Sequence, residues 1–238
     1  MIIGIIPARY DSSRFPGKPL VDLKGKSMIQ RVYEQCSKSN SLDKVVVATD
    51  DQRIFKEVNS FGGEVKMTSK THESGTDRCH EVLKYYPDAS IIINIQGDEP
   101  LIDPKEIDKL VTVFCNEKAD IATLIKESSK EDIQNSNLVK VVTTLTGKAL
   151  YFSRSPIPFE RNENKHQKFF QHIGIYGYRK EALEKVSSLS VSPLELTEGL
   201  EQLRWLENNI NIFTERSDFQ SLAIDTPEDV EKVLQRLL

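Results

Sequence analysis

Arg9, Arg14 and Lys18 fall within the single stretch ARYDSSRFPGK, together with Ser12, Pro16 and Gly17. Forked arginine donors and a lysine point charge are what hold phosphate oxygens. A Pro-Gly bend is expected to leave nearby backbone N–H groups facing an anion. The spacing is neither the Walker A loop GxxxxGK[ST] nor the GxGxxG fingerprint. A solvated basic loop is the plain alternative, and the position just after an apolar run of strand length favours a triphosphate. A second cluster, NIQGDEP at residues 94–100, ends an apolar strand in Asp98 and Glu99. A third, AIDTPEDV at 223–230, sets Asp225 before a Thr-Pro helix start, where Thr226 can cap alone and leaves the aspartate without a structural duty. One carboxylate holds Mg²⁺ poorly, whereas two with phosphate oxygens and water hold it well, and Asp98 with Asp225 is the pair expected to do so. The plain alternative for Asp98 is a turn acid that caps backbone.

Other groups carry weaker signals. Ser74 and Arg78 in THESGTDR could touch a base or phosphate, although a capped helix start explains the pattern as well. His172 lies in an apolar strand, where a satisfied core histidine is the default. Arg154 in YFSRSPIP and Glu201-Gln202 in GLEQLR suit either a polyol ligand or surface pairing.

The elements that must place these residues are legible from periodicity. MIIGIIPA, DKVVVATD, GEVKMTS, SIIINIQ and ADIATLIKE read as strands, alternating with helices over SMIQRVYEQC, DQRIFKEVNS, GTDRCHEVLKYY and DPKEIDKLVTVFCNE. Unbroken Val/Ile runs alternating with helices predict an α/β fold with a mostly parallel sheet covered on both faces. Ligands of such sheets bind at the carboxyl ends of the strands, where the three clusters fall. After about residue 137 the pattern changes. LVKVVTTLTGKALYFSRSPIP predicts a hairpin around Thr146-Gly147, FFQHIGIYGYR a strand, SPLELTEGLEQLRWLENN one helix, INIFTERS a strand and TPEDVEKVLQRLL a last helix. The expectation is one domain over 1–238 with an antiparallel insertion.

Composition narrows the class. Hydrophobic residues make up 38% and charged residues 29% of the 238, the profile of a globular protein. A net charge of −4 argues against general nucleic-acid binding. No apolar run is long enough to span a bilayer, and no signal-peptide pattern opens the sequence, so a cytoplasmic protein without membrane insertion is expected. Cys36, Cys79 and Cys115 are odd in number and lack a CxxC, as reduced thiols would be, two of them packed on helices.

The motifs IIPARYDSSRFPGKPL, VVVATDD, SGTDR, NIQGDEPLI, VKVV…ALYFSRSPIP, HIGIYGYR, LEQLR and IDTPEDV, in this order, resemble those of the 3-deoxy-manno-octulosonate cytidylyltransferase (CMP-Kdo synthetase) family. The likeness runs from residue 2 to about 232. It implies the nucleotide-diphospho-sugar transferase fold, a Rossmann-like sheet whose antiparallel part, within about 138–212, binds the sugar and forms a homodimer. It implies Mg²⁺-dependent transfer of CMP from CTP to Kdo, with pyrophosphate released, for lipopolysaccharide synthesis. By motif, Arg9, Ser12, Arg14 and Lys18 would hold the triphosphate. Ser74, Gln96 and backbone near Ala8 would read the cytosine, and Asp98 and Asp225 would bind the metal. Arg154, His172, Tyr176, Glu201 and Gln202 would line the Kdo pocket, and Arg14 and Lys18 would also stabilise the leaving pyrophosphate. No side chain stands out as a general base.

The stretch between Pro158 and Phe169 is shorter than in some members, and LELTEGLEQLR departs upstream of its Glu-Gln pair. An 8-amino-Kdo substrate therefore stays open, and a CMP-sialic acid synthetase, with a related opening loop and a keto-acid sugar, is the other alternative, over which HIGIYGYR, EQLR and DTPEDV favour Kdo. So does a nucleotide-binding domain without catalysis, which could dispense with the acidic pair. A dehydrogenase is disfavoured without the glycine fingerprint.

Overall fold

The computed structural model describes residues 1–11, 15–162, 168–219 and 222–237. The chain divides into two compact units, one of Met1–Asp108 with Gln220–Leu238 and one of Lys109–Phe219.

In the first unit β1 (Ile2–Ala8), β2 (Lys44–Thr49), β3 (Val65–Met67) and β4 (Ile91–Asn94) form a wholly parallel sheet in the order β3-β2-β1-β4. Ile3, Ile5, Ile6, Val46, Val47, Ile92 and Ile93 are fully buried. Side chains pointing to both faces of the strands are thus covered, which is why these strands read as continuous apolar runs. The helices are α1 (Met28–Cys36), α2 (Gln52–Ser60), α3 (Gly75–Val82) and, after the second unit, α8 (Pro227–Arg236). Met28, Ile29, Val32 and Cys36 make one buried stripe on α1, and Ser27 caps it by accepting the Gln30 N–H at 3.3 Å. Cys36 and Cys79 are buried on α1 and α3, Cys115 is exposed, and none of the three is in a disulfide.

One small core decides where the end of the chain goes. Leu23, Met28, Ile224 and Val233 are fully buried together, with Phe15, Val21, Leu101, Leu222 and Val230 packed against them. Ile224 and α8 are thereby fastened to the segments that follow β1 and β4.

Helix α4 (Pro104–Thr112) straddles the division between the units. The second unit contains β5 (Ile121–Ser128), β6 (Lys140–Thr143), β7 (Ala149–Ser153), β8 (Phe169–Arg179), α5 (Lys180–Val186), α6 (Pro193–Glu198), α7 (Glu201–Glu207) and β9 (Ile212–Arg216). Strand β5 pairs antiparallel with β8 and parallel with β9, and β6 pairs antiparallel with both β7 and β8. The β6–β7 hairpin turns at Gly147, at φ 82°, as the Thr-Gly signal indicates.

The structure differs from the sequence reading in three elements. Antiparallel pairing begins before the change of pattern expected near 137, because β5, an apolar strand like those before it, pairs antiparallel with β8. The expected helix over 192–209 is two helices, broken where Gly199 takes the left-handed conformation at φ 63°, ψ 42°. Helix α5, which the pattern of KEALEKV did not single out, buries Ala182, Leu183 and Val186. Among the described residues no helix is long and apolar enough to cross a membrane.

Candidate active site

Strand β1 ends at Ala8, paired with Thr49, and Arg9 follows it exposed. The chain then returns on itself: the Gly17 N–H donates to the Tyr10 carbonyl at 2.8 Å, with Gly17 left-handed at φ 76°. A Cβ there would lie 3.0 Å from the Tyr10 ring, so glycine is required for both dihedral and space. The Lys18 N–H donates to the Phe15 carbonyl at 3.2 Å. These two N–H groups, of those the Pro16-Gly17 bend was expected to leave facing an anion, are spent in closing the loop. Ser12 and Arg14, both expected at the triphosphate, lie outside the described residues.

Closing the loop sends Lys18 inward. Its ammonium donates to Asp98 Oδ2 at 2.7 Å and to the Ile224 carbonyl at 3.0 Å, and lies 3.6 Å from Asp225 Oδ1. Asp98 occupies the turn after β4, which runs tight against β1: a Cβ on Gly97 would meet the Pro7 carbonyl at 2.8 Å. Asp225 is delivered by buried Ile224, whose N–H donates to the Asp98 carbonyl at 2.9 Å. Two carboxylates remote in sequence therefore face one cation position, now held by Lys18 (side chain 15% exposed, against 25% for Asp98 and 42% for Asp225). Among the described residues no group of three or more His, Cys, Asp or Glu is placed to hold a metal. Two aspartates are hard oxygen donors, and Mg²⁺ is commonly bound by one or two carboxylates with waters and phosphate oxygens rather than by an all-protein cage, so the donor chemistry of the pair fits that ion.

The geometry of Ser74, at the start of α3, has two sides. Its hydroxyl accepts the Asp77 N–H at 3.1 Å and its N–H donates to Asp77 Oδ2 at 3.3 Å, the capped helix start that the pattern allows. As an acceptor in the cap, the hydroxyl keeps its own hydrogen to donate. Arg78 is structural: buried, it donates to Asp50 at 2.6 Å and to Thr68 Oγ1 at 2.7 Å. Gln96 stands half-buried in the turn beyond β4. Asn94, which sequence reasoning passed over, ends β4 with a buried Oδ1 that has no partner among the described residues, and a Cβ on Gly75 would lie 3.4 Å from its Nδ2. A polar residue closing an all-isoleucine strand was the available signal.

The remaining expected residues belong to the second unit. His172 Nε2 lies 2.9 Å from Thr123 Oγ1, which is itself 2.8 Å from the Ile175 carbonyl. The threonine proton goes to the carbonyl, so the imidazole donates from Nε2. Burial holds the His172 pKa down to about 3, and the ring is neutral. Phe152 and Tyr176 flank it at 5.3 and 5.2 Å, and Trp205 stands edge-on to Tyr176 at 5.0 Å. Among the described residues the Tyr176 hydroxyl is buried without a partner, and burial, with the nearby Glu201 charge, pushes its pKa well up. It stays protonated and keeps its hydrogen to donate. Glu201 and buried Gln202 begin α7.

Arg154 follows β7 and is tied to Glu198 and Ser136, partners that the sequence reading, which allowed it a polyol ligand or surface pairing, did not name. Glu198 and fully buried Lys140 were missed. A lysine inside the run VKVV was the signal for the second, and Glu198 has none locally.

Residues 3–216 match the family described as Cytidylyltransferase. The 3-deoxy-manno-octulosonate cytidylyltransferases of Parabacteroides distasonis and Thermodesulfovibrio yellowstonii are 49% and 50% identical, over 98% and 96% of this chain and 96% and 95% of theirs. A solved CMP:2-keto-3-deoxy-manno-octonic acid synthetase, complexed with CTP, superposes with a TM-score of 0.95 at 43% identity over 99% of this chain and 98% of that one.

Proposed function

The chain belongs to the cytidylyltransferase family, and from that premise we propose how it works: it transfers CMP from CTP to Kdo, giving CMP-Kdo and pyrophosphate. The observation that carries the site assignment is the convergence of Lys18, Asp98 and Asp225 beyond the carboxyl ends of parallel strands. That convergence supplies cationic and metal-binding groups where the sheet of an α/β protein presents its ligand.

Arg9 and Lys18, with Ser12 and Arg14 of the same loop, bind the triphosphate in this reading, and Arg14 and Lys18 offset the charge that pyrophosphate gains on leaving. Ser74 and Gln96, with backbone near Ala8, bind the cytosine. Asp98 and Asp225 would hold Mg²⁺, which supplies Lewis-acid charge stabilisation at phosphate oxygens. The sugar-side residues are Arg154 for the carboxylate and His172, Tyr176, Glu201 and Gln202 for the hydroxyls. His172, neutral down to about pH 3, is too weak a base to take the attacking hydroxyl's proton, and no general base is assigned. Catalysis then rests on positioning and charge neutralisation, as in phosphoryl transfers generally. The reading extends to a cytoplasmic homodimer serving lipopolysaccharide synthesis, which would sediment at twice the 27.1 kDa of one chain.

The test is pyrophosphate release from CTP and Mg²⁺ with Kdo, with 8-amino-Kdo, sialic acid and other nucleotides as controls. Release that requires CTP and Kdo is expected. Release with sialic acid alone, or with no sugar tried, would overturn the reading.

A further inference from the structure

We propose that Lys140 and Glu198 are positioning residues that fix Arg154 for the sugar's carboxylate, an inference that rests on the function given above. Lys140, the first residue of β6, is completely buried. Its ammonium donates to three backbone carbonyls, those of Asn135 at 2.9 Å, Leu138 at 2.7 Å and Arg154. Burial lowers its pKa while the charge of Glu198 acts the other way. A lysine interred in this manner is costly, and a hydrophobe of its volume would be cheaper unless the carbonyls needed a common donor.

Glu198, at the end of α6, holds the opposite side of the same residue. Its Oε1 accepts the Ser153 hydroxyl at 2.6 Å, its Oε2 accepts the Arg154 N–H at 2.9 Å, and its carbonyl accepts Arg154 Nε–H at 2.8 Å. Arg154 Nη1 donates to the Ser136 carbonyl at 3.1 Å. The backbone of Arg154 is therefore gripped at both its N–H and its carbonyl, and the guanidinium at two nitrogens. No partner within hydrogen-bonding distance engages Nη2 among the described residues. The arrangement spends Arg154's inner donors on anchoring and leaves its outer end for an anion, the geometry a bound carboxylate needs. Every anchor comes from within the second unit, and Glu198 is separated from Glu201 and Gln202 only by Gly199 and Leu200. The knot thus ties the arginine to the start of α7 as well.

Because a misplacement of about 1 Å can cost on the order of a hundredfold, the loss of either anchor is felt at the sugar and not at the nucleotide. Lys140→Met and Glu198→Gln are expected to raise the KM for Kdo by about tenfold or more while the KM for CTP stays within about twofold. Against an Arg154→Ala background either change should add almost nothing, since its effect passes through the arginine. Kdo binding followed by the fluorescence of Trp205, the chain's single tryptophan, gives the same comparison without turnover. An unchanged Kdo KM in folded variants, a parallel rise for CTP, or a full additional loss in the Arg154→Ala background would each overturn the proposal. Should Lys140→Met fail to fold, Glu198→Gln decides, and unfolding of both would assign the knot to stability alone. Absence of pyrophosphate release by the unaltered enzyme with Kdo would instead count against the function itself.

Discussion

Lys18 stands where a metal would compensate Asp98 and Asp225, and that position gives two variants opposite signatures. Asp225→Ala removes a carboxylate whose side chain is 42% exposed, so the fold should persist. Turnover at saturating Mg²⁺ should fall by roughly a hundredfold or more, since several kcal/mol of charge stabilisation go with the metal. Near-full Mg²⁺-dependent activity would remove Asp225 from the site. Lys18→Met takes away the ammonium that lies 2.7 Å from Asp98 and 3.6 Å from Asp225 and leaves more negative charge at the two carboxylates. The variant should bind Mn²⁺ more tightly than the parent protein without nucleotide, read by electron paramagnetic resonance, and show a higher KM for CTP. Equal Mn²⁺ affinity would show that Lys18 and a metal do not compete. Arg78 illustrates the reverse lesson: an arginine inside a ligand-like motif is spent on Asp50 and Thr68.

Among the elements, the turn after β4 runs tight against backbone. With the Pro7 carbonyl 2.8 Å from any Cβ at position 97, Gly97→Ala must push this turn off β1 and carry Asp98 with it. The expected cost is about 1–3 kcal/mol of stability, together with a fall in kcat of about tenfold or more. A thermal melt beside steady-state kinetics measures both, and unchanged kcat would mean that Asp98 tolerates the shift. Helix starts were legible because the capping chemistry is local. Glu195 accepts the Ser192 N–H at 3.2 Å and Asp229 that of Thr226 at 3.1 Å, as their Ser-Pro and Thr-Pro contexts indicate. The break at Gly199 was not legible, because glycine inside a helix costs only about 1 kcal/mol. A longer-range contact decides it: Arg204 forks onto Glu195 at 2.6 and 2.5 Å, folding α7 back on α6.

For the whole molecule, His172 sets the first response to acid. Its pKa lies near 3 when folded and near the ordinary 6.5 when unfolded. Between those values the unfolded chain binds the extra proton, so stability is complete above about pH 6.5 and declines as the pH falls toward 3. Asp51 is held at about 2 by the hydrogen bond from Arg53, and Glu81 at about 2 because bonds from Lys84, the Ser69 N–H and His72 outweigh its burial. Their contributions are present above the ordinary 3.8 and 4.5 and fade only below them. From pH 6.5 to about 4.5 the melting temperature should therefore fall mainly through His172, and His172→Gln should flatten that slope. An identical slope in the variant would place the acid sensitivity elsewhere. The sequence by itself determined the parallel strands, the caps, the glycine turn that delivers Lys18 and the motifs that mark the family, since each is written in neighbouring residues. Only the tertiary structure decided that β5 runs antiparallel to β8, that Ile224 carries Asp225 to Asp98, and that Lys140 and Glu198 close on Arg154. Those pairings join segments remote in sequence through backbone hydrogen bonds and buried contacts, which residue types and local periodicity do not encode.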